Sequence, residues 1–227
     1  FFTLLLLAFP LIFLLFDYSY LNEKISGDRE ATCKLTLDGF ESNGTAFLVS
    51  ENGLLLTARH CVDDNPDAEY TINFDMIKDP KYHNLKASVI YLPESENDDY
   101  AVLKLTTKIE NIEPLKIAKR IEDPSSYNPK VTIIGYPGIT PKQSIDKQNS
   151  VVNYVLKDST IFMVKQSFPG YSGAPVIEVE TGRVIGVLVS GIDSRHIGTK
   201  LEPYIGMAFC EKIQQIFLDP KTSHIDW

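Results

Sequence analysis

Along most of this chain the apolar residues come in short runs separated by turn formers. GTAFLVS (44–50) and LLLTA (54–58) flank Asn52-Gly53. Two β-type runs on either side of an Asn-Gly pair predict a hairpin. YTINFDMI, KASVIYLP and YAVLKLT follow as further strand runs, and a Pro-containing stretch from Lys108 to Pro129 then breaks the pattern. Strand runs resume with KVTIIGYPG, SVVNYVLKD, STIFMVKQ, APVIEVE, RVIGVLVSG and IGMAFC, with turns predicted at Lys157-Asp158 and Thr181-Gly182. The period changes in CEKIQQIFLD, where Ile213, Ile216 and Phe217 fall at i, i+3 and i+4. That spacing predicts a short amphipathic helix over about 210–218, stopped by Pro220. Two sets of roughly six short strands, over about 31–107 and 130–209, argue for antiparallel barrels or a sandwich rather than a βαβ sheet. A polar linker is expected over 17–30 and a tail over 219–227.

The first sixteen residues, FFTLLLLAFPLIFLLF, carry no charge. As a helix they would span about 24 Å, slightly short of a ~30 Å hydrocarbon core. No Met opens the chain, and DYSYLNEK shows no small-x-small cleavage pattern. The run is expected to be a membrane signal-anchor or a cleaved signal, with a buried soluble helix as the remaining alternative. Either membrane reading puts the rest of the chain outside the cytoplasm, anchored or secreted.

Composition narrows the function classes. The 227 residues are 44% apolar and 23% charged, enough for one large domain or two small ones with a sizeable core. A net charge of −8 with no basic cluster argues against nucleic acid as a partner. The three cysteines, Cys33, Cys61 and Cys210, include no Cys-x-x-Cys pair. No zinc site, other metal or cofactor is therefore expected. One disulfide plus one thiol fits the count, and the spacing selects no pairing.

Three stretches carry candidate chemistry. In LLLTARHCV, His60 follows a strand end; in NDDYAVLKL, Asp99 enters a strand; in FPGYSGAPV, Ser172 sits between glycines. Taken singly, each has a bland reading: a core histidine, a solvated turn acid, a glycine-rich bend. Taken together they supply what a serine nucleophile needs, a base within reach and a buried carboxylate to orient that base. Gly170 and Gly173 would let the backbone turn the N–H groups of Gly170 and Ser172 toward one point, as an oxyanion hole requires. The order His, Asp, Ser, about 39 and 73 residues apart, is that of the chymotrypsin arrangement.

The motifs themselves resemble those of trypsin-like serine proteases. TARHC resembles Thr-Ala-x-His-Cys, DYAVLKL resembles Asp-x-Ala-Leu-Leu-x-Leu, and GYSGAP resembles Gly-x-Ser-Gly-x-Pro. VTIIGYPG is similar to the strand opening the second barrel of Deg/HtrA-type proteases and glutamyl endopeptidases. The resemblance covers about 31–218 and implies two six-stranded antiparallel Greek-key barrels with a C-terminal helix. It also implies endopeptidase action on protein or peptide substrates, with His60, Asp99 and Ser172 catalytic. Three departures stand out. Tyr171 replaces the aspartate that pairs with a freed N-terminus in trypsin-type zymogens, so the oxyanion loop must be held another way, by packing of Tyr171 or Phe168. The usual partner position of Cys61 falls near Asn43 or Gly44, leaving Cys33 as a substitute or Cys61 as a lone thiol. The PDZ domain that usually follows in the Deg/HtrA kind is expected to be absent.

By the same resemblance, Gln166 and Ser167 lie near the base of the specificity pocket. Neither is the acid that a Lys/Arg-selective pocket buries. Leu188 stands where glutamyl endopeptidases carry a histidine, and cannot donate to a carboxylate. Val189, Ser190 and Gly191 offer backbone groups for pairing with an extended peptide, and a modest apolar or small polar residue is expected at the cleaved position. The alternatives are a catalytically silent protease-fold module that binds peptides or scaffolds, and an α/β-hydrolase using Asp193 and His196. Ala174 breaks the Gly-x-Ser-x-Gly signature of the latter. His83 and His224 lie in polar stretches and are expected at the surface.

Overall fold

A computed structural model describes residues 27–37, 43–65, 67–95, 98–118, 128–137, 145–155, 161–165, 170–218 and 220–227. The 1–16 run, Gln166, Ser167, Phe168 and the Lys157-Asp158 turn lie outside these residues. Among the described residues no helix is long and apolar enough to cross a membrane.

The strands form two closed antiparallel barrels. The first contains β1 (Thr32–Leu37), β2 (Asn43–Leu48), β3 (Leu54–Thr57), β4 (Tyr70–Asn73), β5 (Leu85–Tyr91) and β6 (Ala101–Leu105), in the order β1-β2-β3-β6-β5-β4. The second contains β7 (Lys130–Gly135), β8 (Asp146–Val155), β9 (Ile161–Lys165), β10 (Pro175–Glu178), β11 (Val184–Gly191) and β12 (Met207–Lys212), in the order β10-β11-β12-β9-β8-β7. Closure removes free sheet edges, and it explains the sequence pattern. β3 and β10 are buried at every position, so LLLT and PVIE read as unbroken runs rather than alternations. Leu55, Leu56, Phe47, Ile72 and Leu103 of the first barrel are buried, as are Val131, Ile133, Val176, Val187 and Cys210 of the second. Each fully buried Leu, Ile or Phe contributes roughly 1.5–3 kcal/mol. The connector is not loose: Ile109, Ile112, Leu115 and Ala118 are buried, and Leu115 N–H donates to Leu48 O.

The elements depart from the sequence expectation in several places. β1, TCKLTL, is not among the strand runs read from the sequence; it is pinned by β2 on one side and β4 on the other. β4 stops at Asn73, and Phe74–Ile77 closes a turn through Ile77 N–H to Phe74 O. The helix, α1 (Ile213–Leu218), begins three residues later than expected, because Cys210–Lys212 still pair in β12. The expected tail folds back: Trp227 packs on Phe217 at 4.3 Å between ring centroids, Thr222 Oγ1 donates to Ile216 O, and Asn52 Nδ2 donates to Asp226 Oδ2. Residues 27–30, placed in the polar linker, form a helical turn in which Ala31 N–H donates to Gly27 O.

Candidate active site

His60 sits in a single helical turn, Arg59–Cys61, directly after β3. Asp99 lies two residues before β6, and β3 pairs with β6 from Leu54↔Lys104 to Thr57↔Ala101. That register brings the two residues together. Asp99 Oδ1 accepts from the His60 backbone N–H at 3.0 Å, and Oδ2 accepts from His60 Nδ1 at 2.8 Å. Donation from Nδ1 to the carboxylate makes Nε2 the nitrogen that carries the lone pair whenever the ring is neutral. The carboxylate was expected to be buried; its side chain is 27% exposed, and that of His60 47%. The Asp99 contact, followed by that of Cys61, raises the His60 pKa from 6.5 to about 10, against the opposing effect of burial. Behind Asp99, the buried Glu211 of β12 accepts from its backbone N–H at 3.3 Å, so the second barrel helps place the acid.

Ser172 comes from the turn before β10, and the chain around it is bracketed by Thr45 of β2. Thr45 N–H donates to Ser172 O at 2.8 Å, Thr45 Oγ1 donates to Gly170 O at 3.2 Å, and Tyr136 N–H donates to Thr45 Oγ1 at 3.1 Å. Thr57 Oγ1 in turn donates to Thr45 O at 2.7 Å. Gly173 (φ +84°) has no alternative, since a Cβ there would lie 2.0 Å from Thr45 O. The turn also carries a left-handed Gly170, with φ +95°. Among the described residues no protein acceptor takes the N–H of Gly170 or of Ser172. Ser172 Oγ donates to Val189 O at 3.4 Å; no hydrogen bond joins it to His60.

His60, Asp99, Ser172, Leu188, Val189, Ser190 and Gly191 line one cleft of about 430 Å³. β10 pairs with β11 only as far as Pro175↔Val187, with Leu188 N–H then donating to Ala174 O. Beyond it, the side of Val189–Gly191 turned away from β12 has no strand partner among the described residues. Gly170 does not line the cleft, whereas Ile192, Asp193 and Arg195 do. Sequence reasoning met Asp193 only as an esterase acid. It instead caps a helical turn at Ser194–His196 and pairs with Arg195 at 2.8 Å, an interaction that holds the carboxyl pKa down at about 2. Nothing in the local sequence of this loop signals that it walls the cleft.

All three cysteines are free thiols. Cys33 donates to Ala46 O at 3.3 Å, so it is not a substitute partner for Cys61. The vacant partner position is Gly44, where a Cβ would lie 2.8 Å from Cys61 Sγ. Among the described residues there is no cluster of ligands suited to a metal ion. His83 was expected at the surface; it is half-buried, with Nε2 donating to Ile77 O at 2.8 Å, while His224 is exposed.

Compared with known protein families, residues 44–187 match the trypsin-like peptidase domain. A search of curated protein sequences found no match. Among solved structures, a serine endoprotease from Yersinia pestis is similar at 15% identity and a TM-score of 0.63, over 87% of this chain and 64% of its own. The HtrA-type protease AlgW, solved with a tripeptide, is similar at 19% identity and a TM-score of 0.63, over 89% of this chain and 62% of its own. A serine protease of human pathogenic astrovirus is similar at 20% identity and a TM-score of 0.59, over 86% of this chain and 94% of its own. The chain thus spans under two thirds of the Yersinia and AlgW proteins.

Proposed function

This chain belongs to the trypsin-like peptidase family, and we propose that it is a serine endopeptidase working through an acyl-enzyme on His60, Asp99 and Ser172. The observation that carries the reading is the two-point contact of Asp99 with His60, in the same cleft as Ser172. For the reaction the Ser172 hydroxyl must turn from Val189 O to His60 Nε2; catalytic hydrogen bonds are often unmade until substrate arrives. His60 takes the proton as Oγ attacks the scissile carbonyl, then returns it to the leaving amine, while Asp99 holds the ring and balances its charge. The N–H groups of Gly170 and Ser172 receive the oxyanion. Water then repeats the sequence on the ester to release the acid.

The substrate peptide adds as a strand to the open side of Val189, Ser190 and Gly191, with Gln166, Ser167 and Leu188 shaping the pocket for the residue cleaved. Leu188 and Val189, with the Asp193 and Arg195 charges of the cleft paired to each other, favour a modest apolar or small polar residue over Glu, Lys or Arg. Tyr171 stands where a zymogen would carry its pairing aspartate, so activation needs no freed N-terminus. The segment 1–16 would tether the domain to a membrane, outside the cytoplasm, unless it is cleaved.

Ser172→Ala is expected to abolish cleavage of casein-like substrates, since loss of such a serine costs on the order of 10⁶ in kcat. Undiminished cleavage by that variant rejects the assignment. The unmade Ser172–His60 bond favours one other reading, a silent module that binds peptides without turnover. Folded wild type that binds peptide but cleaves none would select it.

A further inference from the structure

In the turn Gly170–Gly173 one side chain points inward, that of Tyr171, which is 1% exposed. Its hydroxyl donates to Asp146 Oδ2, at the start of β8, at 2.8 Å. Its ring lies where a Cβ on Gly135 would come within 2.8 Å of Cδ1, so β7 leaves room for it by having glycine there. Its carbonyl accepts from Ala174 N–H at 2.8 Å. Thr45 ties the carbonyls of the residues on either side of Tyr171, Gly170 O and Ser172 O. Burial and the Asp146 contact raise the phenol pKa well above its ordinary value, so it stays a donor; the nearby charge of Arg29, from the helical turn before β1, works the other way.

We infer that Tyr171 and Asp146 form a positioning pair that fixes the turn between the two oxyanion N–H donors. Thr45 and the Ala174 N–H hold this turn by its carbonyls. The Tyr171 side chain, anchored at its far end by Asp146 of β8, adds a tie that reaches the turn through a side chain of its own. A Phe would fill the same space without the anchor. The pair acts through the turn and touches no substrate, and the inference rests on the serine-peptidase reading above.

The test compares wild type, Tyr171→Phe, Asp146→Ala and Asp146→Asn. Each is first titrated with a fluorophosphonate to count reactive sites, then assayed for kcat and KM per titrated site, with melting temperature alongside. Tyr171→Phe and Asp146→Ala are expected to lose about 10- to 100-fold in kcat at nearly unchanged KM, the scale of a misplaced oxyanion donor. Affinity for a peptide boronate, which mimics the tetrahedral state, should fall in parallel. Asp146→Asn keeps an acceptor oxygen and should recover most of the loss. The inference is overturned if kcat per titrated site is unchanged in Tyr171→Phe, or if Asn restores no more than Ala. Wild type that neither titrates nor cleaves overturns the peptidase reading itself, and this pair's role with it.

Discussion

Gly173→Ala offers the sharpest test of how the two barrels place the serine. The new Cβ would lie 2.0 Å from Thr45 O, 2.3 Å from Thr57 Oγ1 and 3.1 Å from Ala58 N. An ordinary carbon–oxygen contact is about 3.3–3.6 Å. Two of the three atoms are backbone, and Thr57 Oγ1 is itself committed to Thr45 O, so none can swing aside cheaply. Holding a non-glycine residue at φ +84° costs roughly 1–2 kcal/mol, and forced displacement of packed atoms adds roughly 1–3. The sum, about 2–5 kcal/mol, is a large part of the ~5–15 kcal/mol that holds a typical fold together. At ~2–4 °C per kcal/mol for a chain of this size, melting should fall by about 10 °C. Gly198→Ala is the control: its φ is +80°, yet nothing lies within 4 Å of the added carbon. It should lose only about 1–2 kcal/mol and leave kcat/KM intact. The assays are thermal unfolding by circular dichroism and peptide hydrolysis. If the two variants melt together, or if Gly173→Ala keeps wild-type kcat/KM, the inter-barrel bracket does not position Ser172.

Asp99→Asn should lower kcat by about 10⁴ and move the rising limb of the pH–rate profile down toward 6.5, since Asp99 is the first cause holding His60 up at about 10; a pH series of kcat/KM shows whether that limb moves. The same raised pKa makes the pair's contribution to stability complete below pH 6.5 and lost as pH rises through about 10, a small effect because the imidazole side chain is 47% exposed. Gly44→Cys should bond to Cys61 on oxidation, dropping the thiol titre of protein denatured without reductant from the wild-type three to two; the gain is at most about 3 kcal/mol for a loop of this length, less the strain of a Cβ–Cβ separation of 3.1 Å, and a titre of four refutes the placement of Gly44. Thr45→Val strands the buried Tyr136 N–H and should destabilise by about 1–3 kcal/mol, read by denaturant titration.

How much was legible follows from what a linear sequence can encode. His60, Asp99 and Ser172 each sit in a short local motif, so their residue types and spacing were enough to nominate them. The apolar runs pointed to antiparallel barrels or a sandwich, and only the register of β3 on β6 in the closed barrel joins His60 to Asp99. β1 was missed because its pairing partners, not its own TCKLTL, make it a strand. The Trp227–Phe217 contact and the Asp193–Arg195 wall were missed because a tail and a turn show no period that says where they dock. Tyr171 announced itself by replacing an expected aspartate, but its partner Asp146 lies 25 residues away with no motif of its own. The partner position of Cys61 was narrowed to Asn43 or Gly44, and only the Cβ direction at Gly44 separates them.

The central claim is that Ser172 is a nucleophile activated by His60. Intact-mass measurement after exposure to a fluorophosphonate, followed by peptide mapping, tests it most directly. Wild type should gain one phosphonyl group on Ser172, and His60→Ala and Ser172→Ala should gain none. A folded wild type that gains none, or that carries the adduct on another residue, contradicts the account.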